Sequence, residues 1–237
     1  AYACIENGRA DEVVWGLTEE HFSRSGKHIS SVKIAPDKKR YEGQKAVAKA
    51  AALLERDTLF GYQWNSLYKA SVIKNNNVKF CDAIFYEDYF FNIDFAKHIS
   101  ALVTLDCTDY HYYKRINGSV TNRFTKDYFS LSYKRIETMF KFCPENGCMS
   151  DDVYSVLGGR LLRYTLSALS RNNNPLSGMG REEKKQWFRQ ICDMPLYSEL
   201  LPKTEGINIV FKMLKRVILK KNCPAALAMG RIVYTLR

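Results

Sequence analysis

Two adjacent carboxylates, Glu87 and Asp88, sit in the run Phe85-Tyr86-Glu87-Asp88-Tyr89-Phe90-Phe91-Asn92. A carboxylate among large aromatic rings loses water, which raises its pKa toward the range where it can take a proton from a hydroxyl. The spacing of Phe91 and Phe95 predicts a helix over Asp88 to His98, so the pair falls at a strand-to-helix junction. The positive end of that helix orients the carboxylates and limits the rise in pKa. The same two residues equally suit a plain helix start, where acids are favoured in the first turn. On the residues alone both readings stay open.

Thiol and metal chemistry has less support. The seven cysteines (Cys4, Cys81, Cys107, Cys143, Cys148, Cys192 and Cys223) are odd in number and irregularly spaced, the pattern of reduced thiols in an intracellular protein. Only Cys143 and Cys148 lie close together, and no second pair or nearby His completes a zinc ligand set. No metal site is expected in this chain.

The elements that must position these groups follow from length and period. With 237 residues, 46% hydrophobic and 13% aromatic, and with 13 Gly and 6 Pro, the chain can bury a core, and disordered, collagen-like and low-complexity classes are excluded. No apolar run approaches the ~18 residues needed to cross a bilayer. A short helix ends at Asn7-Gly8. Asp11 to Phe22 reads as one strand, Ser25-Gly26-Lys27 as a turn, and Ile29 to Ile34 as the returning strand of a hairpin. Helices are expected over Glu42 to Arg56 and Gly61 to Asn75, a short strand over Val78 to Phe80, and β structure from Leu102 to Arg115. From about Thr125 onward nearly every segment has helical period: Thr125 to Phe142, Asp151 to Ser170, Arg181 to Cys192, Ile207 to Lys221 and Pro224 to Leu236. The expectation is an α/β part over 1–125 and an all-helical part over 126–237. The chain opens without Met and as if inside a helix, as a piece of a longer protein would.

Tyr62 to Thr121 resembles the second half of the catalytic domain of bacterial family 2 glycosyltransferases, the inverting GT-A enzymes of capsule, O-antigen and exopolysaccharide synthesis. Three blocks in the family's order carry the resemblance. Tyr62-Gln63-Trp64-Asn65-Ser66-Leu67-Tyr68-Lys69 with Val78-Lys79-Phe80 is similar to its Trp-Asn-Lys-Leu-Tyr block. Tyr86 to Asn92 is similar to its Glu-Asp motif, and Tyr110 to Thr121 to its Tyr-x-Tyr-x-x-Arg-x-x-Ser-x-Thr segment. The resemblance implies that Asp88 is the general base for the acceptor hydroxyl, with Glu87 beside it as a positioning carboxylate. It implies that Trp64 offers a ring face to a sugar and that Arg115 and Ser119 lie near the donor diphosphate. Without it, Trp64 reads as well as a core residue, and Arg115 and Ser119 as a solvated turn. Ser66 stands where the family has Lys and receives no role.

The resemblance also implies a nucleotide-sugar donor, a saccharide or lipid-linked acceptor, and Mg²⁺ or Mn²⁺ in the intact enzyme. The chain has no Asp-x-Asp to hold such an ion, so alone it is not expected to bind a nucleotide sugar with metal. Donor sugar, acceptor and linkage are not legible.

Charge adds a second theme. The net charge is +11, and residues 151–237, with 15 basic and 7 acidic side chains, hold +8 of it. At 100° per residue, Ile207, Val210, Phe211, Met213, Leu214, Val217 and Ile218 gather on one side of the predicted 207–221 helix. Lys212, Lys215, Arg216 and Lys220 gather on the other, with Leu219 an exception and Lys221 near the apolar stripe. Such a helix can lie in the headgroups of an anionic membrane or pack on its own domain, and both readings remain. The expected location is cytoplasmic, peripheral on the inner face of the membrane. A non-catalytic membrane-associated scaffold is the alternative function, and a basic nucleic-acid-binding module, suggested by the charge, ranks behind it. Nucleic acid is not an expected partner, because the aromatics cluster at 85–91 and 110–113 while the charge lies after 150, and a stacking platform needs both on one surface.

Overall fold

A computed structural model of the chain describes residues 1–23, 25–82, 85–114 and 124–236. Its first part is mixed α/β and its second part helical, in line with the change of period near Thr125. Two compact units divide it: Ala1–Arg123 with Lys141–Met149, and Phe124–Phe140 with Ser150–Arg237.

The first unit is built on two small sheets that share a bend. In the four-stranded sheet, β1 (Glu12–Trp15) pairs in parallel with β6 (Ala101–Leu105) at the centre, with β4 (Lys39–Glu42) and β5 (Ser66–Tyr68) antiparallel at the edges. Val13, Val14 and Leu102 are fully buried, as expected for strands covered on both faces. One face meets α1 (Tyr2–Glu6), whose Cys4 and Ile5 pack against Val13 and Val103. α2 (Gln44–Leu54) buries Val47, Ala48, Ala50, Ala51, Ala52 and Leu54, and its small side chains let it lie close to β4 and β6.

Where the sequence reads one strand from Asp11 to Phe22, the chain turns at Gly16 from the first sheet into a second one. There β2 (Leu17–Phe22) pairs antiparallel with β3 (His28–Ile34) and in parallel with β7 (His111–Lys114). Gly16 allows the turn because a Cβ would collide with the Ile34 carbonyl oxygen and come within 2.7 Å of Ala35 Cα. The expected β2–β3 hairpin is present, closed by a bond of 2.8 Å from Ser23 N–H to Lys27 O. The single β segment expected from Leu102 onward is likewise split, into β6 and β7.

Two further expectations are corrected. Gly61 to Asn75 is not one helix but a 3-10 turn (Leu59–Gly61), then β5, then α3 (Ala70–Asn76). The buried Asn65 draws the segment onto β1. Its amide donates to Leu59 O at 2.7 Å and Trp15 O at 3.1 Å, and Trp15 N–H donates to Asn65 O at 3.0 Å. Tertiary hydrogen bonds thus override a modest helical preference. Val78 to Phe80 forms no strand; Val78 is buried, and Phe80 stacks on Phe91 with ring centres 4.6 Å apart. β4, with no alternation of apolar residues to announce it, is an addition.

The second unit contains no strand among its described residues. Its elements are α5 (Tyr128–Glu145, which runs on into the Lys141–Met149 segment), α6 (Asp151–Arg171), α7 (Arg181–Cys192), α8 (Pro195–Leu200), α9 (Ile209–Leu219) and α10 (Cys223–Thr235). α6 is its axis, burying Val153, Leu157, Leu161, Leu162 and Leu169. α10 approaches α6 closely at Gly230, where a Cβ would stand 2.6 Å from Leu169 O. No helix among the described residues is long and apolar enough to cross a membrane.

Candidate functional site

The Glu87–Asp88 pair opens α4 (Glu87–Ala96), one residue earlier than the sequence period suggests. The preceding residue, Tyr86, has φ +67°, a left-handed conformation that costs a residue with a Cβ roughly 1–2 kcal/mol. That bend starts the helix abruptly, and Phe90 N–H closes the first turn on Tyr86 O at 3.1 Å. Glu87 is exposed and Asp88 half-buried. Burial, then the charge of Glu87, pushes the Asp88 carboxyl above the usual range. Among the described residues no cation or hydrogen-bond donor engages that carboxylate. A carboxylate so placed, with its proton affinity raised, has the chemistry to accept a proton.

The first turns of α4 are anchored by a residue to which sequence reasoning assigns no role. Asn92, one turn further along α4, is 1% exposed and uses both ends of its amide. Its Nδ2 donates to Phe60 O at 2.6 Å, and its Oδ1 accepts from Gln63 Nε2 at 2.7 Å and from Tyr68 Oη–H at 2.8 Å. Gln63 Nε2 also reaches the Asp88 carbonyl at 3.2 Å. The 60–63 segment is thus pinned to the first turns of α4, and Tyr68 packs edge-on against Phe91 and Phe95. A polar residue inside the apolar pattern Phe91, Ile93, Phe95 was the available signal.

Glu12 lies in the same unit and was also missed. On β1 it pairs with Tyr68 and Leu102, is 1% exposed, and neither carboxyl oxygen has a hydrogen-bond partner among the described residues. Burial pushes its pKa up to about 8. The Tyr68 hydroxyl is raised in turn by burial, by Glu12 and, more weakly, by Asp88.

Trp64 is neither a lone platform nor a core residue. It is half-buried in a stack of rings, with centres 4.4 Å from Tyr110, 4.6 Å from Tyr62 and 5.4 Å from Tyr112, all within 22° of parallel. Tyr110 remains 38% exposed and supplies an open edge of the stack. Arg115 and Ser119 lie outside the described residues.

A second polar cluster occupies the three-stranded sheet. Glu20 on β2 accepts from Ser31 at 2.5 Å and His28 Nε2 at 2.7 Å through one oxygen, and from His111 Nδ1 at 2.7 Å through the other. Those bonds, Ser31 foremost, hold its carboxyl down to about 2. The cluster borders a depression of about 300 Å³ also lined by Thr18, Lys33 and Asp109. With both oxygens engaged and its proton affinity lowered, Glu20 is poorly suited to be a base and acts as a clasp across β3, β2 and β7.

Among the described residues no group of three or more His, Cys, Asp or Glu could hold a metal ion. These residues do not fit the Mg²⁺ or Mn²⁺ that the resemblance implies, and no step below passes through a metal. The seven cysteines form no disulfide. No protein-family model matches the chain, and no curated protein matches it.

Proposed function

We propose that residues 62–121 form the acceptor side of an inverting glycosyltransferase of the GT-A type, with Asp88 as general base. The observation that carries this reading is the Asp88 carboxylate itself: half-buried, raised in pKa by burial and by Glu87, free of cation and donor among the described residues, and held at an abrupt helix start through Gln63 and Asn92. In the reaction, an acceptor hydroxyl attacks the anomeric carbon from the face opposite the leaving group. Asp88 takes the hydroxyl proton as the new C–O bond forms, and the nucleoside diphosphate departs with the electrons of the broken bond. Glu87, exposed beside it, is placed to accept a hydrogen bond from a neighbouring acceptor hydroxyl. The Tyr62, Trp64, Tyr110 and Tyr112 stack offers ring surface to the axial C–H groups of a sugar. The donor and its metal fall to residues outside those described here, Arg115 and Ser119 among the proposed donor contacts.

Saturation-transfer NMR with a panel of oligosaccharides tests the acceptor side on this chain. Sugar C–H signals should take up saturation from the aromatic rings and lose it in Tyr110→Ala. A panel with no signal at millimolar sugar would contradict the acceptor reading.

A further inference from the structure

The sequence pattern directs the apolar stripe of α9 to one side and its lysines to the other. The fold uses that stripe differently. Leu214 and Ile218 are buried within the second unit, while Phe211, Val217 and Lys215 are half-buried beside them, and Lys215 Nζ is tied back to Thr204 O at 3.0 Å. Most of the other half-turn of the helix stays open. At 100° per residue an arc of about 180° holds Leu219, Lys212, Arg216, Ile209, Lys220, Met213, Val217 and Val210 in that angular order. Four of its five apolar members are exposed, Ile209 by 68%, Met213 and Leu219 by 52% and Val210 by 42%, while Val217 is half-buried. Lys212, Arg216 and Lys220 have no acidic or hydrogen-bonding partner among the described residues. In sequence no Asp or Glu follows Glu205, and among the described residues the one acidic contact at this end of the helix, Asp193, goes to Lys221 outside the arc.

An arc in which aliphatic side chains alternate with unneutralised cations suits one occupant above others. Water alone would favour fewer exposed aliphatics, and a protein partner of ordinary surface charge would leave the cations unmatched. An anionic bilayer satisfies both, with its headgroup phosphates around the Lys and Arg side chains and its upper acyl region taking Ile209, Met213 and Leu219. We propose that the open arc of α9 docks the helical unit flat onto an anionic lipid surface. Asn208 starts the helix cleanly, its Oδ1 accepting from Phe211 N–H at 3.0 Å, so the arc is preformed. The proposal does not rest on the glycosyl-transfer reading, and its test is independent of turnover.

Vesicle co-sedimentation of the full chain provides that test, with vesicles one-third phosphatidylglycerol compared against pure phosphatidylcholine at about 0.1 M salt. Three free cations, each contributing about fivefold near an anionic surface, should favour the anionic vesicles by on the order of 100-fold. Lys212→Gln with Arg216→Gln should remove roughly 25-fold of that preference. Ile209→Ser with Met213→Ser should weaken anionic-vesicle binding about tenfold or more, a loss that a purely electrostatic polyanion such as single-stranded RNA would not register. All four side chains are exposed, so circular dichroism and urea midpoints should match the parent chain. Equal binding to both vesicle types, no binding to either, or wild-type binding by either double variant would overturn the proposal. So would RNA binding that outcompetes the anionic vesicles.

Discussion

Glu12 should make this protein less stable as the solution becomes more alkaline, and the size of the effect follows from its surroundings. Its carboxyl is fully buried with neither oxygen hydrogen-bonded to any described residue, and burial pushes its pKa up to about 8 from an ordinary 4.5. A carboxyl with a raised folded pKa stays protonated in the fold after the unfolded chain has begun to ionise. The contribution of Glu12 to stability is therefore greatest below pH 4.5 and is lost as pH rises from 4.5 toward 8, at about 1.4 kcal/mol per pH unit. At pH 7 the accumulated loss is about 3 kcal/mol, a large share of the 5–15 kcal/mol typical of a folded domain. Glu12→Gln keeps the shape, exchanges a neutral acid for a neutral amide and cannot ionise. Urea unfolding of both proteins at pH 5, 6, 7 and 8 should show the variant gaining on the parent with each step, and the gain flattening above pH 8. Parallel pH profiles would refute the reasoning, because they would mean that Glu12 is ionised or partnered in the folded protein.

Replacing Asn92 with Leu should cost at least ~3 kcal/mol in urea unfolding, since Phe60 O, Gln63 and Tyr68 would each lose a partner in a buried setting, whereas a loss below ~1 kcal/mol would show that water or rearrangement replaces those bonds. Glu20 carries the opposite pH sign to Glu12. Its lowered pKa gives stability that is present above 4.5 and lost as pH falls toward about 2, so Glu20→Gln should flatten the acid limb of the unfolding profile, and an unchanged acid limb would remove the clasp role.

Much of the layout was legible because period carries it. The helical second unit, the β2–β3 hairpin and the start of α4 near Asp88 all follow from repeating apolar residues and turn residues. Long-range polar bonds and short strands were not legible. Helical period does run through 61–75, yet Asn65 donates to the nearby Leu59 carbonyl and to the distant Trp15 carbonyl, and the three residues after it become an edge strand. β4 is four residues of Lys, Arg, Tyr and Glu, so nothing in its composition distinguishes it from a loop. Asp11 to Phe22 looked continuous because Gly16 matters only for what lies across from it, the Ile34–Ala35 backbone. At the candidate site, the carboxylate pair could be read from composition and placement. Its supports could not, since Asn92 and Glu12 act through contacts 24 or more residues away in sequence.

The measurement that tests the central claim most directly is turnover of Asp88→Asn beside Glu87→Gln, in the form of the chain that supports transfer. Asp88→Asn keeps the side-chain volume and removes the basic lone pair. Turnover should fall by ~10²–10⁴ with donor affinity nearly unchanged, while Glu87→Gln should cost less in kcat and more in acceptor KM. Reversal of the two effects would transfer the base to Glu87. Near-wild-type turnover in both, with a lowered Tm, would contradict the account and leave the pair as the electrostatic start of α4.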